Sequence, residues 1–193
     1  MACALTLAVS GAATASDANS PVEYLDEETG VTVTVVGRPL VFARERATFN
    51  VSAWSVPARD YVTLAAAAVD RGGKMSYLLI GYFWSVGGAS EPWENARRAR
   101  EPLVLQLKNR RIELVPQGGS AREAGISAPP HRPPIGAALP SLYAIDLPTM
   151  ELIAGSAQPA LNLADASAPL KYQLFEDRLP ALRELVRRLS DTP

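Results

Sequence analysis

The sequence predicts a mainly β domain, an antiparallel sheet or β-sandwich of about seven to nine strands, with one short helix and a C-terminal amphipathic helix. Three observations carry this. Residues Val31, Thr32, Val33, Thr34, Val35 and Val36 alternate apolar and hydroxyl side chains, the period-2 signature of a half-buried strand. The turn residues Asp70, Arg71, Gly72, Gly73 and Lys74 separate two strongly apolar runs, Tyr61 to Val69 and Met75 to Trp84. Leu179, Leu182, Leu185, Val186 and Leu189 share one helical face, with Arg183, Glu184, Arg187 and Arg188 outside it.

The elements follow in order. After the first strand, Gly37 interrupts and Pro39 allows only an edge strand or a fresh start for Leu40 to Ala43. Arg44 to Pro57 reads as a loop or excursion, with Trp54 as an anchor. In the hairpin that follows, Tyr77, Leu79 and Phe83 take one side of the return strand and Leu78, Ile80, Tyr82 and Trp84 the other. That pattern predicts a central strand covered on both faces. Gly87 and Gly88 open a loop that reaches Pro102, and a second hairpin joins Leu103–Leu107 to Arg110–Val115 through Lys108 and Asn109. Residues 117–140 read as a long proline-rich loop within the same domain. In it Pro129, Pro130, Pro133 and Pro134 predict an extended, exposed run around His131. Leu142 to Ile145 is a short strand. Asp146 caps a short helix with Pro148 in its first turn and Gly155 as its stop. Leu161 to Leu163 and Tyr172 to Phe175 are short strands before the last helix, where Pro180 fits the first turn.

Composition bounds the function. With 48% hydrophobic residues in 193, the chain can bury a sizeable core, and one domain is the expectation. Nineteen basic and 20 acidic side chains leave a net charge of −1, which gives no global pull toward nucleic acid or an anionic membrane. The first fifteen residues carry no charged side chain. An apolar run from Ala2 to Val9 leads to Ala13, Thr14 and Ala15, the A-x-A form of a secretory cleavage site. Residues 1–20 are therefore read as signal peptide and spacer, and 21–193 as the domain. No basic residue precedes the run, and a buried N-terminal strand or helix is the other reading. Val9, Ser10, Gly11 and Ala12 match a lipobox at three positions, with alanine where the acylated cysteine would stand. Cleavage after Ala15 would remove Cys3, the single cysteine, leaving no thiol nucleophile or thiolate ligand. An exported, periplasmic or envelope-associated product without a transmembrane span is expected, its lipid anchoring in doubt at Ala12.

Few residues suggest chemistry. His131 is the single histidine and lies between prolines, a poor setting for a general base, which needs a held tautomer. No catalytic residue, cofactor site or metal site is assigned. Asp26, Glu27 and Glu28 read as a solvated run that keeps a strand edge soluble. Asp60 after Arg59, and Glu176 with Asp177 before the last helix, read as local ion pairing and capping. Arg97, Arg98 and Arg100, with Arg110 and Arg111 of the second hairpin, offer a contact surface for an anionic lipid, glycan or acidic partner, although scattered surface arginine is the plainer reading. Trp93, an indole in a polar loop, joins that surface. Tyr82, Phe83 and Trp84 read first as core.

Several of these segments together resemble a family of exported proteins and lipoproteins of Gram-negative bacteria whose function is unknown. They are Thr32 to Val36, Pro39 to Arg44, Ala58 to Tyr61, Gly81 to Ser85, and Glu176 and Asp177 with Leu182 to Leu189. The resemblance implies an envelope-located β-rich domain and carries over no catalytic residue. Members of that family often look lipidated, and Ala12 is where this chain departs. The tail from Asp146 to Leu189 is similar in layout to the end of the invasion-associated locus B family, without that family's cysteines.

The functional expectation is a non-catalytic periplasmic or envelope-associated binding or assembly module. A carboxylate-only envelope glycan hydrolase and a structural subunit of an envelope or secretion complex are the alternatives.

Overall fold

A computed structural model describes residues 17–46, 58–87, 92–118, 120–131, 133–136, 138–163 and 170–191, with the backbone alone for Pro92 and Trp93. Residues 1–16, which include the stretch read as a signal peptide, and Trp54 lie outside the described residues.

The protein is mainly antiparallel β. Among the described residues ten strands form one curled sheet, against the seven to nine strands and the sandwich alternative read from the sequence. Its centre is the hairpin of β4 (Arg59–Arg71) and β5 (Lys74–Val86), paired along its whole length from Arg59↔Val86 to Arg71↔Lys74. Gly72 and Gly73 turn it at φ 60° and 86°, a backbone region that costs glycine little. The other edge of β4 is lined end to end by two strands, β2 (Val31–Val35) and β3 (Leu40–Glu45). These are one extended run broken at Gly37 and Pro39, as the sequence predicts. Gly37 is required there by contact, because a Cβ would collide with the carbonyl oxygen of Ser20.

Outside β2 lies β1 (Val22–Asp26), a strand the sequence reading passed over. Outside β3 follow β10 (Leu170–Glu176), β9 (Ala160–Leu163), β6 (Leu103–Leu107) and β7 (Arg110–Leu114). On the far side, β8 (Leu139–Ile145) pairs with β5. The sheet then curls until the chain just past β7 meets β8. Gln117 N–H donates to the Leu142 carbonyl at 2.8 Å and Leu142 N–H to the Gly118 carbonyl at 3.0 Å.

Both faces of the central hairpin are covered. On one, Leu40, Leu64, Ala66 and Leu79 meet Ile153 and Leu182 of the helices α2 (Leu147–Ala154) and α3 (Leu179–Ser190). Asp146 caps α2 through the Thr149 amide at 2.8 Å, and Arg183 Nε on α3 donates to the Ala154 carbonyl at the end of α2. The Thr149 hydroxyl and amide hold the Asp146 carboxyl below its ordinary pKa. The leucine face of α3 is buried, as its periodicity predicts.

The other face is covered by part of the proline-rich loop, and the exposed run predicted around His131 is only partly found. Ala121 and Ile126 pack against Val31, Val33, Val69 and Leu78. A 3-10 turn, Ala121–Ala124, is capped by Ser120. Pro129, Pro133 and Pro134 are exposed as expected, but His131 is docked. Its Nε2 lies 2.7 Å from the Val36 carbonyl oxygen, and its own carbonyl accepts the Tyr82 hydroxyl at 2.8 Å. Burial lowers the imidazole pKa and raises the Tyr82 phenol to about 12.

Two further expectations are corrected. Asp26 is buried, whereas Glu27 and Glu28 are exposed. Its carboxylate accepts the amides of Glu28, Thr29 and Ser127, closing the β1–β2 turn and pinning the loop. The Ser127 amide, at 2.6 Å, leads in holding its pKa down. The Gly87–Pro102 segment contains a helix, α1 (Pro92–Arg98), which carries Glu94 in its first turn and Arg97 and Arg98 in its last, the order that suits a helix dipole. No helix among the described residues is long and apolar enough to cross a membrane.

Candidate functional site

Arg44 and Glu45 belong to β3, not to a loop, and pair with Asp60 and Arg59 at the start of β4. Asp60 is fully buried there. An unpaired carboxylate in that position would cost several kcal/mol, roughly, in lost hydration, so its partners decide whether the strand end can form. Arg44 Nη2 reaches Oδ2 at 2.6 Å, and the Ser85 hydroxyl on β5 donates to Oδ1 at 2.7 Å. Arg98 Nη1 comes down from α1 to within 3.0 Å of the same Oδ1, and Arg46 Nη1 stands 3.9 Å away.

A second layer fixes the arginines. Glu94 Oε2 lies 3.3 Å from Arg46 Nη2 and 3.4 Å from Arg98 Nη2, while the Asn95 side-chain oxygen accepts from Arg98 Nη1 at 3.2 Å. Among the described residues this network sets three guanidiniums, Arg44, Arg46 and Arg98, against two carboxylates, Asp60 and Glu94. Arg44 Nε, Arg46 Nη1 and Arg98 Nε are buried without a hydrogen-bond partner. Such donors are costly to leave unmade.

The network adjoins a cleft created by the sheet itself. The β3–β10 ladder runs Val41↔Glu176, Phe42↔Leu174 and Ala43↔Gln173, with an irregularity at Phe175, and then stops. Beyond that point β3 stays with β4 and β10 stays with β9, so the two strands part. The opening has a volume of about 600 Å³ and is walled by Arg44, Glu45, Arg59, Lys171, Gln173 and Phe175. Arg44 is thus shared, with one nitrogen on the buried Asp60 and its side chain in the wall of the cleft.

The irregularity swings Phe175 outward, leaving it 50% exposed. Its ring meets Tyr61 edge-on at 5.6 Å, and Tyr61 stacks on Trp84 at 4.1 Å and 10°. The Trp84 indole N–H donates to the Thr63 hydroxyl at 3.0 Å, so this aromatic row is locked to β4 and β5. The Arg59 guanidinium sits 5.7 Å from the Phe175 ring centre and bonds Glu45 at 3.2 Å.

The contact surface read from the sequence is divided between places. Arg98 is buried in the Asp60 network. Arg97 is exposed and bonds Glu101 at 3.2 Å, and Arg100 is exposed beside it. Arg110 and Arg111 lie at the opposite end of β6, where Arg110 lines a groove of about 1100 Å³ with Lys108, Glu151 and Leu152. Trp93 lies on α1, its side chain outside the described residues. Tyr82 and Phe83 are core, as read. The sequence reading missed Arg44, Lys171 and Phe175. The one local hint was Lys171 and Phe175 bracketing a short apolar strand.

No family model, no curated protein and no solved structure matches this chain.

Proposed function

We propose that this chain is a non-catalytic, exported binding module of the cell envelope that holds its ligand in the β3–β10 cleft. The observation that carries this reading is the arginine shared between the buried network and the cleft wall: Arg44 is held by Asp60 and its side chain still lines the cleft. A charge fixed by a buried partner is preorganised and loses little freedom when a ligand arrives. Both oxygens of Asp60 already accept hydrogen bonds, an arrangement that favours a positioning carboxylate over a general acid or base. The exported address is supported by the sequence alone, through the apolar run and the Ala13–Ala15 site, and Ala12 favours a product released without lipid.

Native mass spectrometry of the chain after incubation with a bacterial envelope extract tests the reading. A bound mass that is lost in Phe175→Ala and recovered chemically unchanged is expected. A ligand recovered in converted form, or a bound mass indifferent to Phe175, contradicts it.

A further inference from the structure

We infer that the β3–β10 cleft takes an anionic amphiphile, a carboxylate or phosphate group carrying a short apolar chain. The inference rests on the reading of this cleft as the ligand site and names the class of ligand.

The anionic part follows from the charge inventory. Glu45 and Arg59 pair at the rim, and two carboxylates face three guanidiniums in the network behind, so one positive charge is left over among the described residues. Lys171 adds an exposed ammonium on the opposite wall. Gln173, also in the lining, supplies a neutral donor. An oxyanion placed here would face the Arg44 guanidinium, which lines the cleft and is already oriented by Asp60.

The apolar part follows from the rest of the lining. Leu170 and Leu174 are only partly buried, and Phe175 is half exposed, although all three face a cleft whose other walls are polar. A small hydrophilic anion would leave that surface wet. An attached alkyl chain would cover it, at roughly 25 cal/mol per Å² removed from water. The volume of about 600 Å³ lies in the range of small-molecule sites and is too small for a folded partner.

Isothermal titration calorimetry on the full chain tests this with four probes: decanoate, decyl phosphate, inorganic phosphate and decyl maltoside. Binding of at least one of the first two is expected, and which of them binds more tightly distinguishes carboxylate from phosphate. Inorganic phosphate and the neutral maltoside should bind about tenfold more weakly or not at all. Lys171→Glu and Phe175→Ala, both at exposed positions, should each weaken the better probe about tenfold, and Arg44→Gln by more. Failure of both anionic amphiphiles to bind, equal binding of decyl maltoside, or indifference to both surface variants overturns the inference. If an envelope ligand is still lost in Phe175→Ala while no anionic amphiphile binds, the binding-module reading stands and the ligand class falls. If neither is bound, both fall.

Discussion

Asp60 Oδ1 and Arg98 Nη1 meet at 3.0 Å in the interior, the first from the start of the central strand β4 and the second from the last turn of α1. The contact ties a short helix, which has little stability of its own, to the most extensively paired part of the sheet. It also places Arg98 beside Arg44 and Arg46, so the same pair that anchors α1 gathers positive charge behind the cleft.

Replacing Asp60 by alanine removes the common partner of the arginines and leaves buried guanidiniums uncompensated. Chemical unfolding should show a loss of about 3–5 kcal/mol. A loss within about 0.5 kcal/mol of wild type would mean that water already solvates the network.

The His131 anchor makes stability depend on pH. Burial holds the folded imidazole below its ordinary value of 6.5. The unfolded chain then binds more protons than the folded chain on the acid side of 6.5, so stability falls as pH drops from there through the folded pKa and is level above. Urea midpoints measured between about pH 7.5 and about pH 5.5 should decline for wild type and stay flat for His131→Gln. A wild-type midpoint that rises on acidification contradicts the docked, neutral imidazole.

Gly37→Ala drives a methyl group into the Ser20 carbonyl oxygen, with the Ala18 carbonyl oxygen close behind at 2.9 Å. Overpacking against backbone should cost about 1–3 kcal/mol. Proteolysis should become faster near Asp17–Ser20, the turn that would have to move. Unchanged stability would show that this turn does not rest on the β2–β3 junction.

Local patterns made much of the fold legible. Alternation and turn chemistry located β2, the β4–β5 hairpin and the β6–β7 hairpin, and capping residues located α2. The amphipathic period located α3. What escaped depends on distant partners or on weak local signals. β1 is short and mixed in character. The helix α1 is marked only by Pro92 and by its acid-to-base order, which the surrounding polar sequence masks. Asp60 looks like a surface carboxylate until β3 and α1 bring Arg44 and Arg98 to it. His131 looks exposed among prolines, yet Ile126, Ile135 and Ala138 in the same loop were apolar residues in need of cover. The cleft was not legible at all, because it arises where two strands remote in sequence stop pairing.

The central claim is that Arg44, fixed by Asp60, presents its guanidinium to a ligand in the β3–β10 cleft. Side-chain NMR of the Arg44 Nε–H group during titration with decyl phosphate or decanoate tests it most directly. The account predicts that this resonance shifts together with the backbone amides of Lys171, Gln173 and Phe175. Shifts confined to the Lys108–Arg110 turn and α2, with Arg44 unmoved, would contradict it.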